Sequence, residues 1–492
     1  MIQPRRFARL SAGLLAGLSV CALAAPASAD TLREALAAAY NTNPTLQAAR
    51  AQQRAVDENV PIEKAAGLPN ANGTATHIEF LKSSDNSFSA PDRSLSAGLD
   101  LGVPIYSGGA VKNAVRAAQQ RVDAGQADLR GTESAIFSQV VAAYMEVIRS
   151  EALVGLSRNQ VDVLSVNFQA TSDRFQIGDL TRTDVAQSEA RLAIAQTDLR
   201  ASESNLVAAR ERYIELVGNP PGDLEAPPPL PGLPDSADEA VAIAIENNPD
   251  LIAARERVDA SEFDVRVAGA SRLPRVSVFA GSDYSNYYGT LGGAAASELA
   301  QSETTASAGV QLSVPIFQGG RPAALRRQAQ ARSSVALEQE IAAERAVIAD
   351  VRAAYSSWRS ANAIIQSSLL AVDAAELGLE GVRAENTVGN RTILDILDAQ
   401  RELLSTQVQL VTARRNAYVA GFSLLAAMGR AEARDLNLDT GGPLYDPQVN
   451  YDRVKNIWFD WGNDPAPVVR STSTIDTEPQ DGEIASSDIG GS

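Results

Sequence analysis

Val103-Pro104-Ile105-Tyr106-Ser107-Gly108-Gly109 and Val314-Pro315-Ile316-Phe317-Gln318-Gly319-Gly320 are one seven-residue pattern written twice. Each marks a change of side-chain rhythm. Before the first, Leu95, Ala97, Leu99, Leu101, Val103 and Ile105 alternate with Ser94, Ser96, Gly98 and Asp100. Before the second, Ala306, Ala308, Val310, Leu312, Val314 and Ile316 alternate with Ser307, Gly309, Gln311 and Ser313. A period of two with one apolar face predicts a strand. Weaker alternation near 72–80 and 276–284 supplies a partner for each, so β-hairpins are expected over 70–106 and 275–317. At about ten residues each, the strands have the length of a tilted membrane strand. After each pattern comes a long stretch without proline, Ala110 to Ile177 and Pro322 to Val388, with Pro322 suited to a first helical turn. A continuous helix of that length would span about 100 Å.

Further landmarks recur on both sides. Asn43-Pro44 returns as Asn248-Pro249 and Leu68-Pro69 as Leu273-Pro274, displaced by 205 residues. Ala143-Tyr144 returns as Ala354-Tyr355, Gly178 as Gly389 and Gly218 as Gly429, displaced by 211. Two constant offsets around one insertion mean an internal duplication, with a first repeat at 30–218 and a second at 236–429. Each repeat should open with a short helix broken at Asn-Pro, because the residue before proline is pushed out of helical geometry. A second helix should then run to Leu68 or Leu273. Between the copies, 219–235 carries seven prolines and reads as an extended linker. A C-terminal extension covers 430–470, and its Trp458–Trp461 stretch is expected to pack on the helices. The tail, 471–492, holds five acidic residues and no basic ones, and is expected to be disordered.

Each long stretch ends alike, in Gly178-Asp179-Leu180-Thr181 and Gly389-Asn390-Arg391-Thr392. A glycine stop followed by a threonine N-cap predicts a tight αα-hairpin. Thr181-x-x-Asp184 and Thr392-x-x-Asp395 both have the form of a capping box. The return helices carry heptads, Val185, Leu192, Leu199, Leu206 and Tyr213 in one and Ile396, Leu403 and Leu410 in the other. Small residues follow three later, so a left-handed supercoil with close packing is expected. The strand-proximal and return helices laid end to end nearly match the long helix, which predicts a long hollow helical wall.

The N-terminus has Arg5, Arg6 and Arg9, an apolar run from Leu10 to Leu23 and Ala27-Ser28-Ala29. That pattern predicts a signal peptide over 1–29. Val20 before Cys21, the only cysteine, argues against lipid attachment, and the mature chain would then have no disulfide or thiolate site. Without the three arginines, 40 basic residues face 60 acidic ones, which disfavours nucleic acid as a partner. One histidine, His77, is too few for histidine-based metal or triad chemistry. No catalytic residue, metal site or cofactor is expected, and the chain is not read as an enzyme. Four strands per chain cannot close a barrel, since transmembrane barrels begin at eight. Two chains would give eight strands and three would give twelve. Half-buried strands of soluble proteins alternate as well, and a periplasmic coiled-coil scaffold or adhesin is the alternative.

The signal peptide, the Asn-Pro-x-Leu openings, Leu-Pro before each hairpin, the repeated Val-Pro-Ile-Tyr/Phe-x-Gly-Gly and the Val-Gly-x-x-Thr-x-x-Asp tip of the second copy together resemble the TolC family of outer-membrane channels. The resemblance runs from about Thr31 to Gly429. It implies a mainly α fold with β, in which a long coiled-coil helical tunnel in the periplasm joins a transmembrane β-barrel shared between subunits of a homotrimer. It implies a role in type I protein secretion or efflux, with a lean to protein secretion. The expected partners are outer-membrane lipid, a periplasmic adaptor protein and an inner-membrane ABC or proton-driven transporter. By residue, it implies a pore constriction at Asp395 and Asp398, where like-charge crowding would raise carboxylate pKa values. It implies gate links at Arg391, Thr183 and Asp184, with Arg391 pairing with Asp184, and a docking tip at Gly178, Thr181, Gly389 and Thr392. Asn386 departs from the family, which places a tyrosine link there.

Overall fold

The computed structural model describes residues 31–82, 91–441 and 443–484. The expected signal peptide and residues 485–492 lie outside the described residues.

Helix α1 (Leu32–Thr42) starts on a capping box in which Thr31 and Glu34 bond reciprocally. Asn43 then leaves helical geometry at ψ 123°, and its side chain caps the next helix, α2 (Pro44–Asp57). The single helix expected to run on to Leu68 is divided, with α3 (Asn59–Ala65) as a separate piece. Pro61 is the physical reason: it has no N–H to give to the Asp57 carbonyl and its ring collides with that oxygen. Strands β1 (Asn70–Glu79) and β2 (Arg93–Tyr106) follow, then α4 (Ala110–Gln176) and α5 (Arg182–Val217). The second copy repeats the plan with α6 (Ala237–Asn247), an unbroken α7 (Pro249–Ala270), β3 (Arg275–Asn286), β4 (Ser302–Ser313), α8 (Arg321–Thr387) and α9 (Ile393–Ala427). Helix α10 (Pro447–Val454) lies in the C-terminal extension.

Both long helices have 67 residues, about 100 Å each. Both begin after paired glycines with positive φ, Gly108-Gly109 and Gly319-Gly320, which reverse the chain from strand to helix. The first of these also sits tightly, since a Cβ at Gly108 would lie 2.7 Å from that of Leu273.

The Asn-Pro motifs fasten each repeat to itself. Asn43 Nδ2 donates to the Leu216 carbonyl at 3.0 Å, and Asn248 Nδ2 donates to the Ala427 carbonyl at 2.9 Å. Each copy's opening is thereby tied to the end of its own return helix. The linker is held at two points, one inside it and one at its end, by the duplicated tyrosine. Tyr144 Oη donates to the Glu225 carbonyl at 2.6 Å and Tyr355 Oη to that of Asp235 at 2.7 Å.

The main core lies around the middle of α4, where Phe137, Val140, Val141 and Tyr144 meet Leu36 and Ala39 of α1, Leu206 and Tyr213 of α5, and Phe422 and Leu424 of α9. Short α7 packs between α4 and α8. The small heptad residues Ser188, Ala195 and Ala209 of α5 are buried, as close helix packing requires.

The C-terminal extension runs along the first repeat toward the sheet. Tyr445 lies under the Arg50 guanidinium, Asn450 Nδ2 donates to Asp57 at 2.7 Å, and the carbonyl of Lys455 faces Lys64 Nζ at 3.4 Å. The Trp458–Trp461 stretch, expected to pack on the helices, is exposed instead. The chain then turns back along α2 and α5. Disorder was expected for the tail, but 471–484 has a defined course. Gln480 N–H donates to Glu211, Arg210 pairs with Asp481 at 3.3 Å, and Ile484 packs beside Gly155. Its low apolar content left this out of view, because polar and ionic contacts to α5 and the seat of Ile484 beside α4, rather than a core of its own, position it.

Candidate functional site

Two regions bear on function, the sheet at one end of the helices and the hairpin turns at the other. The four strands form one antiparallel sheet in the order β1-β2-β3-β4. Ala97 pairs with Tyr284, Leu101 with Ala280 and Val103 with Val278, while Val278 pairs with Val310 and Val276 with Leu312. Directly opposed residues share a face, so the two repeats contribute to one continuous apolar surface. That surface is bare: Leu99 is 60% exposed and Val310 69%. The opposite face is polar and lined with glycines that make room for larger neighbours. A Cβ at Gly98 would come within 2.9 Å of Asp283 Oδ1, and one at Gly309 within 2.9 Å of the Phe279 ring. Strands β1 and β4 each have one edge without a partner among the described residues. A sheet with one apolar face, one polar face and two open edges has the form of a membrane-barrel segment, which in lipid must pair both edges with further strands. No described helix is long and apolar enough to cross a membrane.

At the far end, Gly178 and Gly389 both take φ of 80°. Asp179 N–H reaches back to the Arg174 carbonyl at 2.9 Å and Asn390 N–H to that of Glu385 at 3.0 Å, which satisfies the last helical carbonyls. Thr181 and Thr392 are N-caps, and both capping boxes form. Asp395 Oδ2 accepts from the backbone N–H and the hydroxyl of Thr392, both at 2.8 Å, and Asp184 does the same with Thr181 at 2.9 and 2.7 Å. These bonds hold both carboxyls below the usual aspartate range. Within one chain the capping bonds stabilise the charged form of Asp395; the like-charge crowding expected at the constriction concerns the carboxylates of several copies together.

The link residues are arranged differently from expectation. Arg391 Nε bonds Glu385 at 2.7 Å within its own hairpin, a contact that raises its pKa further, and Asn386 Nδ2 donates to the Arg391 carbonyl at 2.7 Å. The expected Arg391–Asp184 pair is therefore not formed within the chain, because each partner is engaged locally. Thr183 stands exposed in the first turn of α5. The two hairpins are joined farther along. Asp398 Oδ1 accepts from Arg191 Nη2 at 3.0 Å, and Asn167 Nδ2 donates to Gln400 Oε1 at 3.2 Å. Beside them Leu164, Ala195 and Leu397 form a small apolar cluster with Val161, Leu192 and Ile393. Arg191 escaped the sequence reading. Its one signal is position, a heptad beyond Asp184 and hence on the same side of α5. Among the described residues no group of His, Cys, Asp or Glu could hold a metal ion.

The profile of the outer membrane efflux protein family matches residues 35–219 and 240–430, one segment per repeat. The outer membrane efflux protein BepC of Brucella suis is 32% identical over 433 residues, covering 88% of this chain and 92% of the relative. The outer membrane protein TolC of Vibrio cholerae is 26% identical, with 83% and 92% covered. The alkaline protease secretion protein AprF of Pseudomonas aeruginosa is 28% identical over 320 residues, with 63% and 64% covered. The solved outer membrane protein VceC of Vibrio cholerae superposes with a TM-score of 0.69 at 22% identity, over 81% of this chain and 96% of that one. These likenesses leave no place for a scaffold or adhesin without a pore. The chain belongs to the outer membrane efflux protein family, the TolC-type channels, and its place is the outer membrane.

Proposed function

We propose that three copies join edge to edge in a twelve-stranded barrel and form one exit duct through the periplasm and the outer membrane. The carrying observation is the four-stranded sheet with a bare apolar face and two open edges. Eight strands from two chains would be nearly filled by side chains, whereas twelve leave a lumen. In this reading the hairpin tips at Gly178, Thr181, Gly389 and Thr392 receive a periplasmic adaptor, and an inner-membrane ABC or proton-driven transporter delivers the cargo. Asp395 and Asp398 line the constriction, Arg191 restrains Asp398, and Arg391, Thr183 and Asp184 remain for contacts to the next subunit.

Mass measurement of the detergent-extracted complex tests the assembly, with three chains expected. A monodisperse monomer that conducts in a planar bilayer would overturn it. Names of relatives divide between efflux and protease secretion, so the cargo experiment has two arms. Deletion of the gene is followed by proteomics of the culture medium and by sensitivity to small toxic compounds. With the proposed lean to protein secretion, the first arm should show the larger loss.

A further inference from the structure

The Ile457–Trp461 loop has no role in the duct described above, yet it holds two of the chain's three tryptophans. Ile457, Trp458, Phe459 and Trp461 all stand exposed, the two tryptophans at 77% and 83%. Four apolar side chains in five positions on the surface of an acidic protein call for an occupant.

The contacts beneath the loop place it along the long axis. Gln448 faces Gln126, Tyr451 faces Gln119, and Asn450 faces Asp57. Lys64 Nζ then reaches Asn456 Oδ1 at 2.9 Å. Along α4 these partners step toward its sheet-side start at Ala110, and along the first repeat they step from α2 into the last turn of α3. Strand β1 begins six positions after Lys64, on the order of 10 Å along the axis at helical rise. The loop is therefore at the periplasmic rim of the barrel segment. Exposed Ile105, Tyr106, Ile316 and Phe317 mark that rim at the ends of the two strand–helix junctions.

The loop is also held in place. Arg453 clamps its base with two bonds to Asp464, at 2.8 and 3.0 Å, and Ile457 N–H donates to the Val454 carbonyl at 2.9 Å. A fixed base with aromatic side chains outward lowers the ordering cost of burying them.

We propose that Ile457–Trp461 is a lipid-surface anchor that seats Trp458, Phe459 and Trp461 in the headgroup region of the phospholipid leaflet facing the periplasm. Indole and phenyl rings favour that depth, where the ring body is apolar and the indole N–H is wet. The exposed rim residues of the junctions continue the same band, so the anchor extends the lipid contact of the barrel beyond the strands. Asp452, Asp460 and Asp464 offset Arg453 and Lys455. The attachment is thus aromatic rather than electrostatic, and a zwitterionic phospholipid suffices.

The test uses the assembled full-length protein in phosphatidylcholine vesicles, with bromine at defined depths in the lipid. A Trp458→Phe/Trp461→Phe variant provides the Trp358 background. The expected result is a blue-shifted emission that brominated lipid quenches in the wild type, most strongly with bromine near the headgroup, and much less in the variant. Equal quenching in both proteins would overturn the proposal. So would a blue-shifted but unquenched difference signal, which would mean that a neighbouring subunit covers the loop. The wild-type measurement stands alone if the variant assembles poorly: emission at the wavelength of fully hydrated tryptophan, untouched by brominated lipid, also refutes the anchor.

Discussion

Helices α4 and α8 are equal in length and equivalent in the duplication, yet they live in different surroundings. Nearly all sides of α4's central half are covered within the chain, by α1, α5, α7, α9 and the C-terminal extension. Helix α8 leaves Val335, Leu337, Ile341, Ile364, Leu370 and Leu377 exposed. Matching positions sharpen the contrast. Where α8 has Leu337 and Ile341, α4 has Gln126 and Arg130, and these bond Gln448 and Glu432 of the C-terminal extension at 3.3 and 2.7 Å. The first copy's long helix is dressed in polar contacts by its own chain. The second copy's presents apolar side chains bare within the chain, which the proposed trimer would cover.

That contrast is broken most severely by charge. Leu337→Asp with Ile341→Asp should abolish the trimer while leaving the helical circular dichroism largely intact, because an unpaired carboxylate buried in an interface costs several kcal/mol. Val140→Asp on α4 should instead prevent folding. Size-exclusion chromatography with light scattering reads both results. A normal trimer from the α8 variant would mean that this stripe faces water.

A second prediction concerns Glu133, partly buried on α4 under the C-terminal extension, with Glu344 at the matching position of α8. Burial pushes the Glu133 carboxyl up to about 7, opposed by the Ala433 N–H and by Arg50, and helped by Glu432 and Asp435. The native state keeps this proton up to about pH 7, while the unfolded chain releases it near the ordinary glutamate value of 4.5. Between those values the native state binds more protons, so stability falls as pH rises and then levels off. The drop should be roughly 3 kcal/mol. Unfolding in urea at pH 5 and pH 8 measures it. Glu133→Gln should remove most of the slope and Glu344→Gln should not; an unchanged slope in Glu133→Gln would exclude this carboxyl as its source.

Much of this architecture was open to reading from residues alone, for physical reasons. The strands, the hairpin turns and the threonine caps rest on local chemistry, and the duplication states each one twice. Pro61 also carried a local signal, but the expectation of one helix running to Leu68 passed over it, and the proline divides α2 from α3. Other features depend on packing at long range. The Arg191–Asp398 pair joins residues 207 apart, and no periodicity reports which hairpins touch. Glu133 looks like a surface heptad residue until the 430–470 segment covers it. Ser471 to Ile484 has too little apolar content to announce a fixed course, and only its partners on α5 and α4 reveal one.

Smaller effects separate the two hairpin tips. Arg191→Ala and Asp398→Ala remove the same bond, so each should raise conductance modestly, and combining them should add little. An exposed ion pair is worth about 0–1 kcal/mol, so opening should be partial. Selectivity should move in opposite directions, with more cation preference in Arg191→Ala and less in Asp398→Ala. Planar-bilayer reversal potentials distinguish them, and identical shifts would remove Asp398 from the constriction. Arg391→Ser should change single-chain stability little, because it loses only the exposed contact to Glu385. If it opens the channel as well, the effect belongs to a contact between subunits.

The smallest effect should come from truncation. Removing 471–492 deletes mostly exposed contacts, so trimer assembly and transport should persist with a slight fall in unfolding temperature. Loss of the trimer would give this segment a part in assembly.

The two open strand edges have a genetic consequence. Edge β4 of one copy must meet edge β1 of another, a head-to-tail contact that only ring closure completes. In the proposed trimer, one copy with a blocked edge spoils the whole ring. A cell making intact and edge-blocked chains in equal amounts would hold about one fully intact ring in eight under random mixing. An edge mutation in this protein should therefore behave as dominant, whereas a mutation that prevents the chain from folding at all should be recessive.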